Sequence, residues 1–595
     1  MPKVWRFLPH DPALVGRISA NMRVSALMAQ VLIARGMTER ETVQGFLEPK
    51  LLDLHEPELL PGIGDAADRV VAAMQAGRRI TIYGDYDVDG VTATSLLWQC
   101  LKLAGAQVDY YIPSRLEEGY GLNCDAVLQL HREDPQRLLI TVDCGIASVG
   151  EAAIARDAGL ELVVTDHHKF ADQLPAADCL VHPRLPGSEY PFGDLCGVGV
   201  AFKLAWAVCQ RLGDGKKASP RMREFLKSAV TLAAIGTVAD VVPLLGENRV
   251  LVRFGLGGLV VQPSLGLKAL MKVAGLEDKR VLDAEDIGFG IAPRINAAGR
   301  LGQARLAVEL LTTDNPDRAA ALADYLDQLN KNRRTVERRM FKQAKQMVEE
   351  HPEWTQQGGL VLARDDWHAG VIGIVANRVA EHFEKPAILV SLNHETQLGQ
   401  GSGRSFGRFD LHAGLSACSG HLETFGGHAA AAGLRITADN IDPFRDDFGR
   451  FVDGDRDPNQ RAAELQIDAE VRLADCTPRA VRELDRLGPF GQNNPRPVFA
   501  ATGVELAAPP KKMGEGDRHL SLRVRHYGAT LRAVAFGRAE WADEMADAKG
   551  PISISFAASI NRFGGRESVE LKLIDWQTET ECAAADASRA SAVGS

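Results

Sequence analysis

The sequence lacks the features that would assign it to several familiar classes of protein. Its nine cysteines include no C-x-x-C pair, which argues against a zinc ribbon and gives no sign of a disulfide framework. No apolar run reaches the roughly 20 residues needed to cross a bilayer. The opening “MPKVWRFLPHDP” contains no continuous apolar signal core. We therefore expect a cytoplasmic protein with no membrane association.

An excess of positive charge is absent as well. The chain has 68 Lys and Arg against 78 Asp and Glu, which gives a formal net charge of -10. This balance argues against a protein that coats nucleic acid non-specifically, but it is compatible with a local basic groove because association follows the local field. At 595 residues the chain is too long for one hydrophobic core, so we expect about three or four domains.

Strands alternate with helices after an N-terminal helical segment. The runs “RRITIYG”, “QVDYYIPS”, “RLLITVDCG” and “LELVVTDHH” are typical of strands separated by helices, which predicts a parallel α/β sheet. A long helix is predicted from Pro316 to about His351, with Asp314 or Asn315 as its cap. Its central Lys331 and the arginines after it form either a solvated face or a wall that faces an anionic substrate.

Three carboxylates follow the first strand of this pattern. The segment “ITIYGDYDVDGVTA” places Asp85, Asp87 and Asp89 at alternate positions just after an apolar run. Like charges this close together cost free energy unless a cation neutralises them. The simple alternative is an acidic turn that caps the next helix, because carboxylates suit helix N-termini.

Other ionisable residues follow neighbouring strands or a helix, namely Asp143, Asp166, His167, His168 and Asp240. In a parallel sheet the carboxyl ends of the strands meet at one crevice, so we expect Asp143, His167 and Asp240 to converge with the first three carboxylates. Carboxylates with one or two imidazoles suit Mn²⁺ or Mg²⁺ better than Zn²⁺. Two such ions about 3.5–4 Å apart are a recurring arrangement for phosphoryl hydrolysis. The sequence thus predicts a two-metal phosphoesterase, with Mn²⁺ preferred over Mg²⁺.

The order of the motifs resembles a known superfamily. “DYDVDG”, “VDCG”, “TDHH” and “VADVVPL” are similar to the four motifs of the DHH phosphoesterases. “RINAAGRLG”, “WHAGVIGIVANR” and “GGHAAAAGL” resemble its RecJ branch, the single-strand-specific 5′-to-3′ DNA exonucleases, over nearly the whole chain. The resemblance implies an α/β fold with a parallel-sheet DHH domain, a long connecting helix, a second α/β DHH-associated domain and a C-terminal OB-like β-barrel.

The predicted boundaries combine this resemblance with the composition of the chain. They are a helical lead-in (1–75), the DHH domain (76–245), a helical connector (246–352), the DHH-associated domain (353–455), the OB-like domain (456–577) and a disordered tail (578–595).

The resemblance also implies a role for each matching residue. The metal ligands would be Asp85, Asp87, Asp89, Asp143, His167 and Asp240. Of these, Asp143 would bridge the two ions, and His168 would contact the scissile phosphate. Substrate phosphate would be bound by Arg115, Arg294, Asn296, Ser402, Arg404, Ser405 and His428.

Each of these roles has a structural alternative. Arg115 or Arg294 could be a salt-bridge partner. The segment “GGHAAAAGL” could serve close helix packing, with His428 as a satisfied core histidine, and we expect Trp367 to have a packing role. Tyr83 is a departure, because relatives that hydrolyse small phosphates have a histidine ligand there, and Asp85 or water would have to replace it.

The C-terminal region predicts contact with a single strand. In “RHLSLRVRHYG” the residues His519, Arg523, Arg525 and Tyr527 share one face of a strand, and leucine and valine occupy the other. The segments “GATLRAVAFG” and “PISISFAASINRF” supply further strands, and “LGPFGQNNPRPVF” suits a rigid linker. A basic, aromatic face suits a small OB-type barrel that tracks single strands. The alternative is an ordinary solvated face.

These observations favour a metal-dependent 5′-to-3′ exonuclease that releases 5′-mononucleotides from single-stranded DNA in repair and recombination. A monomer is expected, with a helicase and a single-strand-binding protein as partners by resemblance. One rival is a small-phosphate or oligoribonucleotide phosphoesterase of the same superfamily, which would need no strand-tracking domain. The other is a non-catalytic single-strand-binding protein, which would not need to keep every motif acid.

Overall fold

The computed structural model divides the chain into two units. One joins Met1–Lys50 to Asn459–Ser595, and the other spans Leu51–Pro458. The tail predicted to be disordered falls outside the described residues, apart from Thr578. The structure describes residues 3–115, 117–455, 464–548, 550–561 and 567–578.

The N-terminal part begins with a strand that the sequence did not predict. Its elements are β1 (Val4–Phe7), α1 (Pro12–Met22), α2 (Ala26–Ala34) and α3 (Arg40–Leu47). Side chains cap two of the helices, since Asp11 accepts from the backbone at the start of α1 and Ser25 does so for α2. The helix predicted at “RETVQGFLEP” is confirmed as α3. These helices share a hydrophobic core with the C-terminal part of the chain, and residues 51–75 belong to the other unit.

The second unit opens with a parallel sheet, which confirms the prediction. Its elements are α4 (Ile63–Gln75), β2 (Ile80–Tyr83), α5 (Val88–Leu103), β3 (Val108–Tyr111), α6 (Cys124–Glu133), β4 (Leu138–Val142), α7 (Val149–Ala158), β5 (Glu161–Thr165) and β6 (Cys179–Val181). The strand order is β3-β2-β4-β5-β6. The chain therefore builds outward in opposite directions from β2, and the switch point lies between β2 and β4, where ligands bind in such sheets.

Helices cover the sheet and lead to the long helix. They are α8 (Gly197–Arg211), α9 (Pro220–Ala239), α10 (Gly246–Val261), α11 (Leu265–Val273), a π-helical turn (Asp286–Ile291), α12 (Ala292–Arg300), α13 (Ala304–Thr312) and α14 (Pro316–Glu350). Asn315 caps α14 and His351 ends it, so the predicted long helix is confirmed at about 52 Å for a rise of 1.5 Å per residue. Among the described residues no single helix could span a membrane, and only the bent pair α10–α11, at 84°, has the length and composition for it.

A second α/β region completes this unit. It comprises β7 (Leu360–Arg364), α15 (Ile372–Phe383), β8 (Ala387–Leu392), β9 (Leu398–Arg404), α16 (Leu411–Ala417), β10 (Thr424–His428), β11 (Ala431–Thr437) and α17 (Ile441–Asp455). The strand order is β10-β11-β9-β8-β7, with β7 and β8 parallel and the other pairs antiparallel. Trp367 is buried in the core between α14 and α15, which confirms its packing role.

The C-terminal part forms a closed barrel, as predicted. Its elements are β12 (Glu464–Ile467), β13 (Ala469–Glu470), α18 (Pro478–Leu484), β14 (Phe499–Leu506), β15 (Lys511–Met513), β16 (His519–His526), β17 (Ala529–Ala535), α19 (Trp541–Asp547), β18 (Ile552–Asn561) and β19 (Ser568–Thr578). The ring closes in the order β14-β18-β19-β17-β16, because β14 also pairs with β16. β12 pairs with β1, and Arg35 binds Asn494 and Pro495 in the predicted linker.

A buried ion pair joins three segments of the helical layer. The Lys203 ammonium on α8 donates to Glu247 on α10 at 2.5 Å and to the backbone carbonyl of His55. Glu247 also accepts from the Tyr190 hydroxyl, and both charged side chains are fully buried. Removing one partner of such a pair leaves the other charge buried and uncompensated.

We expect Lys203→Met to destabilise this unit by about 3–5 kcal/mol, because Glu247 loses its counter-charge. Urea unfolding monitored by circular dichroism measures the change. Lys227→Met is the control, since Lys227 forms an exposed pair with Glu224 on α9 and should cost less than about 1 kcal/mol. Equal effects of the two substitutions would contradict the role of the buried pair.

Candidate metal centre

Acidic and imidazole side chains meet at the switch point of the parallel sheet. Asp85, Asp87 and Asp89 follow β2, Asp143 follows β4, and the “TDHH” segment follows β5. Asp240 arrives from the C-terminal end of α9. The structure brings ligand atoms of these residues within 4.8 Å of one another in three overlapping groups. The groups are Asp85–Asp87–Asp143, Asp89–His167–Asp240 and Asp143–His167–His168.

His167 lies at the centre of the second group. Its Nε2 is 3.2 Å from Asp143 Oδ1, 3.6 Å from Asp240 Oδ2 and 3.8 Å from Asp89 Oδ2. Burial and the charge of His168 lower the pKa of His167 to about 3, so the imidazole is neutral at physiological pH. A neutral imidazole aimed at three carboxylates has the form of a metal ligand.

Four polar atoms of this cluster are buried and have no hydrogen-bond partner among the described residues. They are Asp85 Oδ1, Asp143 Oδ1, His167 Nε2 and Asp240 Oδ2. Buried polar atoms almost always have a hydrogen-bond partner. Four unpaired atoms in one place are therefore typical of a site that binds a ligand or an ion. Their chemistry, carboxylate oxygen with one imidazole nitrogen, fits Mn²⁺ or Mg²⁺.

The same burial shifts the carboxyl groups toward their protonated forms. Burial and the charge of Asp87 raise the pKa of Asp89 to about 7, and burial and Asp89 raise that of Asp240 to about 9. Burial raises the pKa of Asp85 and Asp143 as well, with neighbouring carboxylates as the next cause. A divalent cation would relieve this repulsion.

Helix α8 supports two of the carboxylates. Its first backbone N–H groups, from Gly197 and Val198, donate to the two oxygens of Asp89 at 2.6 and 2.8 Å. The positive N-terminal end of the helix therefore faces this acid. Gly197 also packs against Asp143, because a Cβ at Gly197 would lie 2.5 Å from Asp143 Cβ. Asp143 itself has a left-handed φ of 63°.

Asp87 has a second role. Its Oδ1 accepts from Gly90 N at 3.1 Å, so it caps α5. The capping alternative therefore holds for this residue, while Asp85, Asp89 and Asp143 are buried.

Asp166 was not predicted as a site residue, but its carboxylate accepts hydrogen bonds from both His167 and His168. Its Oδ1 accepts from the backbone N–H of His167 at 2.7 Å and from His168 Nδ1 at 2.8 Å, and its Oδ2 accepts from Ile146 N. Burial alone would raise its pKa, but the His168 hydrogen bond and charge hold it at about 2. Burial alone would lower the pKa of His168, whereas Asp166 raises it to about 9. His168 is therefore cationic at neutral pH.

Tyr83 supplies no ligand. Its hydroxyl donates to the Gly121 carbonyl at 3.2 Å, and its ring stacks on Tyr111 at a centroid distance of 5.2 Å. The side chain belongs to the hydrophobic core below the sheet. Tyr120, which the sequence did not single out, lies at the centre instead, with its hydroxyl 3.0 Å from His168 Nδ1.

A group of arginines lies beside the carboxylates. We call Arg115, Arg300 and Arg404 the arginine basin. Arg300, at the end of α12, was not predicted as a site residue. Burial and then the charges of Arg115, Arg333 and Arg404 lower its pKa to about 9, and only Asp87 opposes them among the named causes. A half-buried guanidinium with mainly cations around it has the electrostatics of an anion site.

The second α/β region closes one side of this basin. Arg404 Nη1 donates to Ser402 Oγ at 3.1 Å. The first turn of α15 lies against both, since a Cβ at Gly373 would be 2.9 Å from Ser402 Oγ. A helix N-terminus beside an arginine favours bound phosphate. Ser405 instead donates to the Phe409 carbonyl and braces a turn.

His428 is exposed at the end of β10. Its segment forms the β10–β11 hairpin, so the alternatives of helix packing and a core histidine are wrong. Burial and then the charges of Lys169 and Arg404 lower its pKa, which means that these two cations lie near it.

Arg294 is held away from the basin by its own contacts. It pairs with Asp327 at 2.8 Å and donates to the carbonyls of Gly290 and Val273. The salt-bridge alternative therefore describes Arg294. Asn296 lies half-buried on the same helix. On a helix with 3.6 residues per turn, Arg294 and Arg300 project from different sides, which is why one motif carries two different roles.

On the long helix, Lys331 is exposed and pairs with Asp327, and Arg334, Arg338 and Arg339 are exposed. Arg333 differs, because it is largely buried and pairs with Glu337. Its charge also helps to lower the pKa of Arg300. The solvated-face alternative thus fits most of this cluster.

In the barrel, the predicted alternation of β16 is present. Arg523 and Arg525 are exposed, and Leu520, Leu522 and Val524 are buried. Beyond the strand, Tyr527 is 83% exposed, and Arg472 Cζ lies 5.7 Å from its ring centroid. Two of the predicted side chains already have partners, since Arg525 pairs with Glu505 and His519 Nδ1 accepts from Gly537 N.

Comparison with protein-family models finds matches to three parts of the chain. The DHH family N-terminal domain matches residues 79–237, the DHHA1 domain matches 356–454, and the RecJ OB domain matches 467–575.

Several proteins similar to this chain are named RecJ. The single-stranded-DNA-specific exonuclease RecJ of Bacillus subtilis is 37% identical over 96% of this chain and 70% of its own length. The protein of that name from Escherichia coli is 35% identical, over 92% and 94%. A crystal structure of RecJ from Thermus thermophilus in complex with Mn²⁺ matches 96% of this chain and 79% of its own with a TM-score of 0.80 and 31% identity. A structure of the Thermus protein with Mg²⁺ matches with a TM-score of 0.75.

We expect Gly197→Ala to weaken Mn²⁺ binding by about 10- to 100-fold, the range for a disturbed ligand support. The added Cβ would displace Asp143 and the N–H groups that hold Asp89. Isothermal titration calorimetry measures the affinity. Gly150→Ala on α7 is the control, since its Cβ would meet nothing within 4 Å and should leave binding unchanged. Parent-like Mn²⁺ affinity in Gly197→Ala would contradict this arrangement.

Proposed function

This chain belongs to the RecJ family of single-stranded-DNA-specific exonucleases, and we propose that it hydrolyses single-stranded DNA from the 5′ end and releases 5′-mononucleotides in DNA repair and recombination. The observation that carries the proposal is the set of four orphaned ligand atoms beside the arginine basin. The first half of this site suits divalent cations, and the second suits phosphate. A phosphodiester is a substrate that needs both.

The metal site would hold two divalent cations, Mn²⁺ in preference to Mg²⁺. The ligands would be Asp85, Asp87, Asp89, Asp143, His167 and Asp240. Asp143 is the candidate bridge because it is a carboxylate that belongs to two of the ligand groups. When bound, the ions supply Lewis acidity and an activated water for attack at phosphorus. Asp85 takes the place of the absent histidine ligand, since its Oδ1 is free to bind.

The protein's own residues would hold and orient the substrate. Cationic His168 is suited to bind an oxygen of the scissile phosphate, and Asp166 fixes the orientation of its ring. Arg115, Arg300 and Arg404 with Ser402 would bind the terminal phosphate at the N-terminus of α15. His428 and the neighbouring Lys169 would contact the next phosphate. Asn296 stays a candidate phosphate contact, whereas Arg294 and Ser405 would position the helix and turn that carry them.

The basin also supports the choice of polarity. A terminal phosphate carries close to two negative charges, whereas an internal diester carries one. Three guanidinium groups and a helix N-terminus suit the more highly charged group. DNA strands end in phosphate at the 5′ terminus, so a phosphate-dependent stop favours attack from that end.

Selectivity for single strands would arise in two places. A narrow passage between the two α/β regions of the second unit would admit one strand and exclude a duplex. The barrel would bind the strand through His519, Arg523, Arg525 and Tyr527, by charge and by stacking on the exposed tyrosine. Neither rival function, small-phosphate hydrolysis or non-catalytic binding, requires both a complete acidic centre and this barrel.

The finer assignments also remain proposals. We propose a monomer in the cytoplasm that works with a helicase and a single-strand-binding protein. The division of the chain into six segments is likewise a proposal, and residues 51–75 of the predicted lead-in belong to the second unit. The three family matches fall inside the predicted DHH, DHH-associated and OB-like domains.

We expect the protein with Mn²⁺ to release label first from the 5′ end of a single-stranded oligonucleotide. A 5′ phosphate should accelerate release, and a blunt duplex should resist, because the basin and the passage act on a phosphorylated single strand. Gel analysis of 5′- and 3′-labelled DNA measures this. Earlier release from the 3′ end, or preference for duplex, would overturn the proposal. Asp143→Ala is the matched control and should bind DNA but hydrolyse almost none.

We expect Arg300→Ala to raise the KM for 5′-phosphorylated DNA by about 10-fold or more, the effect of losing a charge-assisted phosphate contact. Steady-state kinetics on 5′-phosphate and 5′-hydroxyl substrates measure the difference, which should be smaller for the hydroxyl. Arg294→Ala on the same helix should instead lower stability and leave the phosphate preference intact, because Arg294 is bound to Asp327. The reverse pattern would restore Arg294 as the phosphate ligand.

A further inference from the structure

Tyr86 lies between two carboxylates of the “DYDVDG” loop, but it has not entered the mechanism. The residue is 8% exposed. Its ring lies under the guanidinium of Arg115, whose Cζ is 5.0 Å from the ring centroid. We propose that Tyr86 is a positioning residue, which holds Arg115 in place for the terminal phosphate through this cation–π contact. The inference rests on the proposed function and names a residue that determines how tightly the 5′ end is bound.

Arg115 needs such a contact for two reasons. It lies outside the helices and strands, in the turn after β3, so no regular backbone fixes it. It also lies near two like charges, since burial and then Arg115 lower the pKa of both Arg300 and Arg404. The repulsion would drive Arg115 away from the basin. The negative face of an aromatic ring attracts a guanidinium within about 6 Å and opposes that motion.

The backbone of Tyr86 connects the same residue to Arg300. A Cβ at Gly299 would collide with the Tyr86 carbonyl oxygen, so the last turn of α12 lies directly against the loop. Arg300 follows Gly299 in the chain. Tyr86 therefore contacts the turn that carries Arg115 through its ring and the helix that carries Arg300 through its backbone. Its neighbours Asp85 and Asp87 belong to the candidate metal centre, so Tyr86 links the acidic cluster to two arginines of the basin.

The alternative is that Tyr86 is only a core residue, since it belongs to the main hydrophobic cluster. A packing role would change stability and Mn²⁺ affinity, and it would affect all substrates equally. A positioning role would change KM for a 5′-phosphorylated strand and leave kcat and Mn²⁺ affinity in place. The two roles therefore predict different measurements.

The test compares Tyr86→Phe, which keeps the ring, with Tyr86→Leu, which removes it. Tyr86→Met is a second ring-free variant should the leucine fail to fold, as judged by thermal melting. Steady-state kinetics use 5′-phosphate and 5′-hydroxyl oligothymidylate, and calorimetry gives Mn²⁺ affinity. We expect the ring-free variant to raise KM for the phosphorylated strand by about 3- to 30-fold, the span of cation–π contacts. Tyr86→Phe should restore the parent KM.

Coupling to Arg115 decides the interpretation. In an Arg115→Ala background, Tyr86→Leu should add little to KM, because the contact is already lost. A full additional effect there, an equal loss in Tyr86→Phe, or a parallel fall in Mn²⁺ affinity would overturn the proposal. Tyr110→Leu is the matched control, because it removes a ring that also lies against an arginine: Arg305 Cζ is 5.9 Å from the Tyr110 centroid. Arg305 is not part of the basin, so this substitution should leave KM unchanged. Failure of the proposed function would show separately, as a parent protein that releases nothing from the 5′ end.

Discussion

The mutual repulsion of buried carboxylates at the sheet switch point is the constraint on which the catalytic unit depends. Asp85, Asp89 and Asp143 are each at most 3% exposed. Burial raises the pKa of all three, and the charge of Asp87 raises each of them further. The fold offsets only part of this cost. The N-terminus of α8 donates two hydrogen bonds to Asp89, but one oxygen each of Asp85 and Asp143 is left without a partner among the described residues. A divalent cation would neutralise the negative charge that these unpaired oxygens carry.

Helices α8 and α9 show why many residues are needed to place a few carboxylates. Asp89 and Gly197 are 108 positions apart in sequence, and Asp240 comes from yet another helix. Helix α8 must therefore be fixed accurately at its N-terminal end. The buried Lys203–Glu247 pair links the middle of α8 to α10 and to the segment before α4, which limits how far the helix can shift. A charged pair inside the helical layer thus serves the geometry of the charges at the sheet edge.

Much of this architecture could be predicted because it is local or periodic. Strand–helix alternation gave the parallel sheet, a cap and a proline gave the start of α14, and period-two patterning gave β16. The location of the acids followed from the rule that parallel strands end at one edge. The sequence therefore predicted the residues that the structure brings together in the three candidate ligand groups, Asp143 among them.

The features that the sequence could not predict depend on long-range packing or on the direction in which a side chain points. Strand β1 pairs with β12, more than 450 residues away, and nothing local to Val4–Phe7 indicates that partner. Arg294 and Arg300 share a motif and a residue type, and only the turn of α12 and the position of Asp327 separate their roles. Tyr83 stands where some relatives have a histidine ligand, but its ring faces the core. The residue type alone does not reveal that direction.

The two halves of the site differ in how they acquire their charge. Arg300 has a pKa of about 9 despite its burial among cations, so the basin is positive at neutral pH without any partner. Asp89 and Asp240, with pKa values of about 7 and 9, hold protons for part or most of the time in the metal-free protein. Because cations bind the ionised form, metal binding must release protons, whereas phosphate binding to the basin need not. Acid would therefore oppose cation binding at the carboxylates, and it would leave the positive charge of the basin in place.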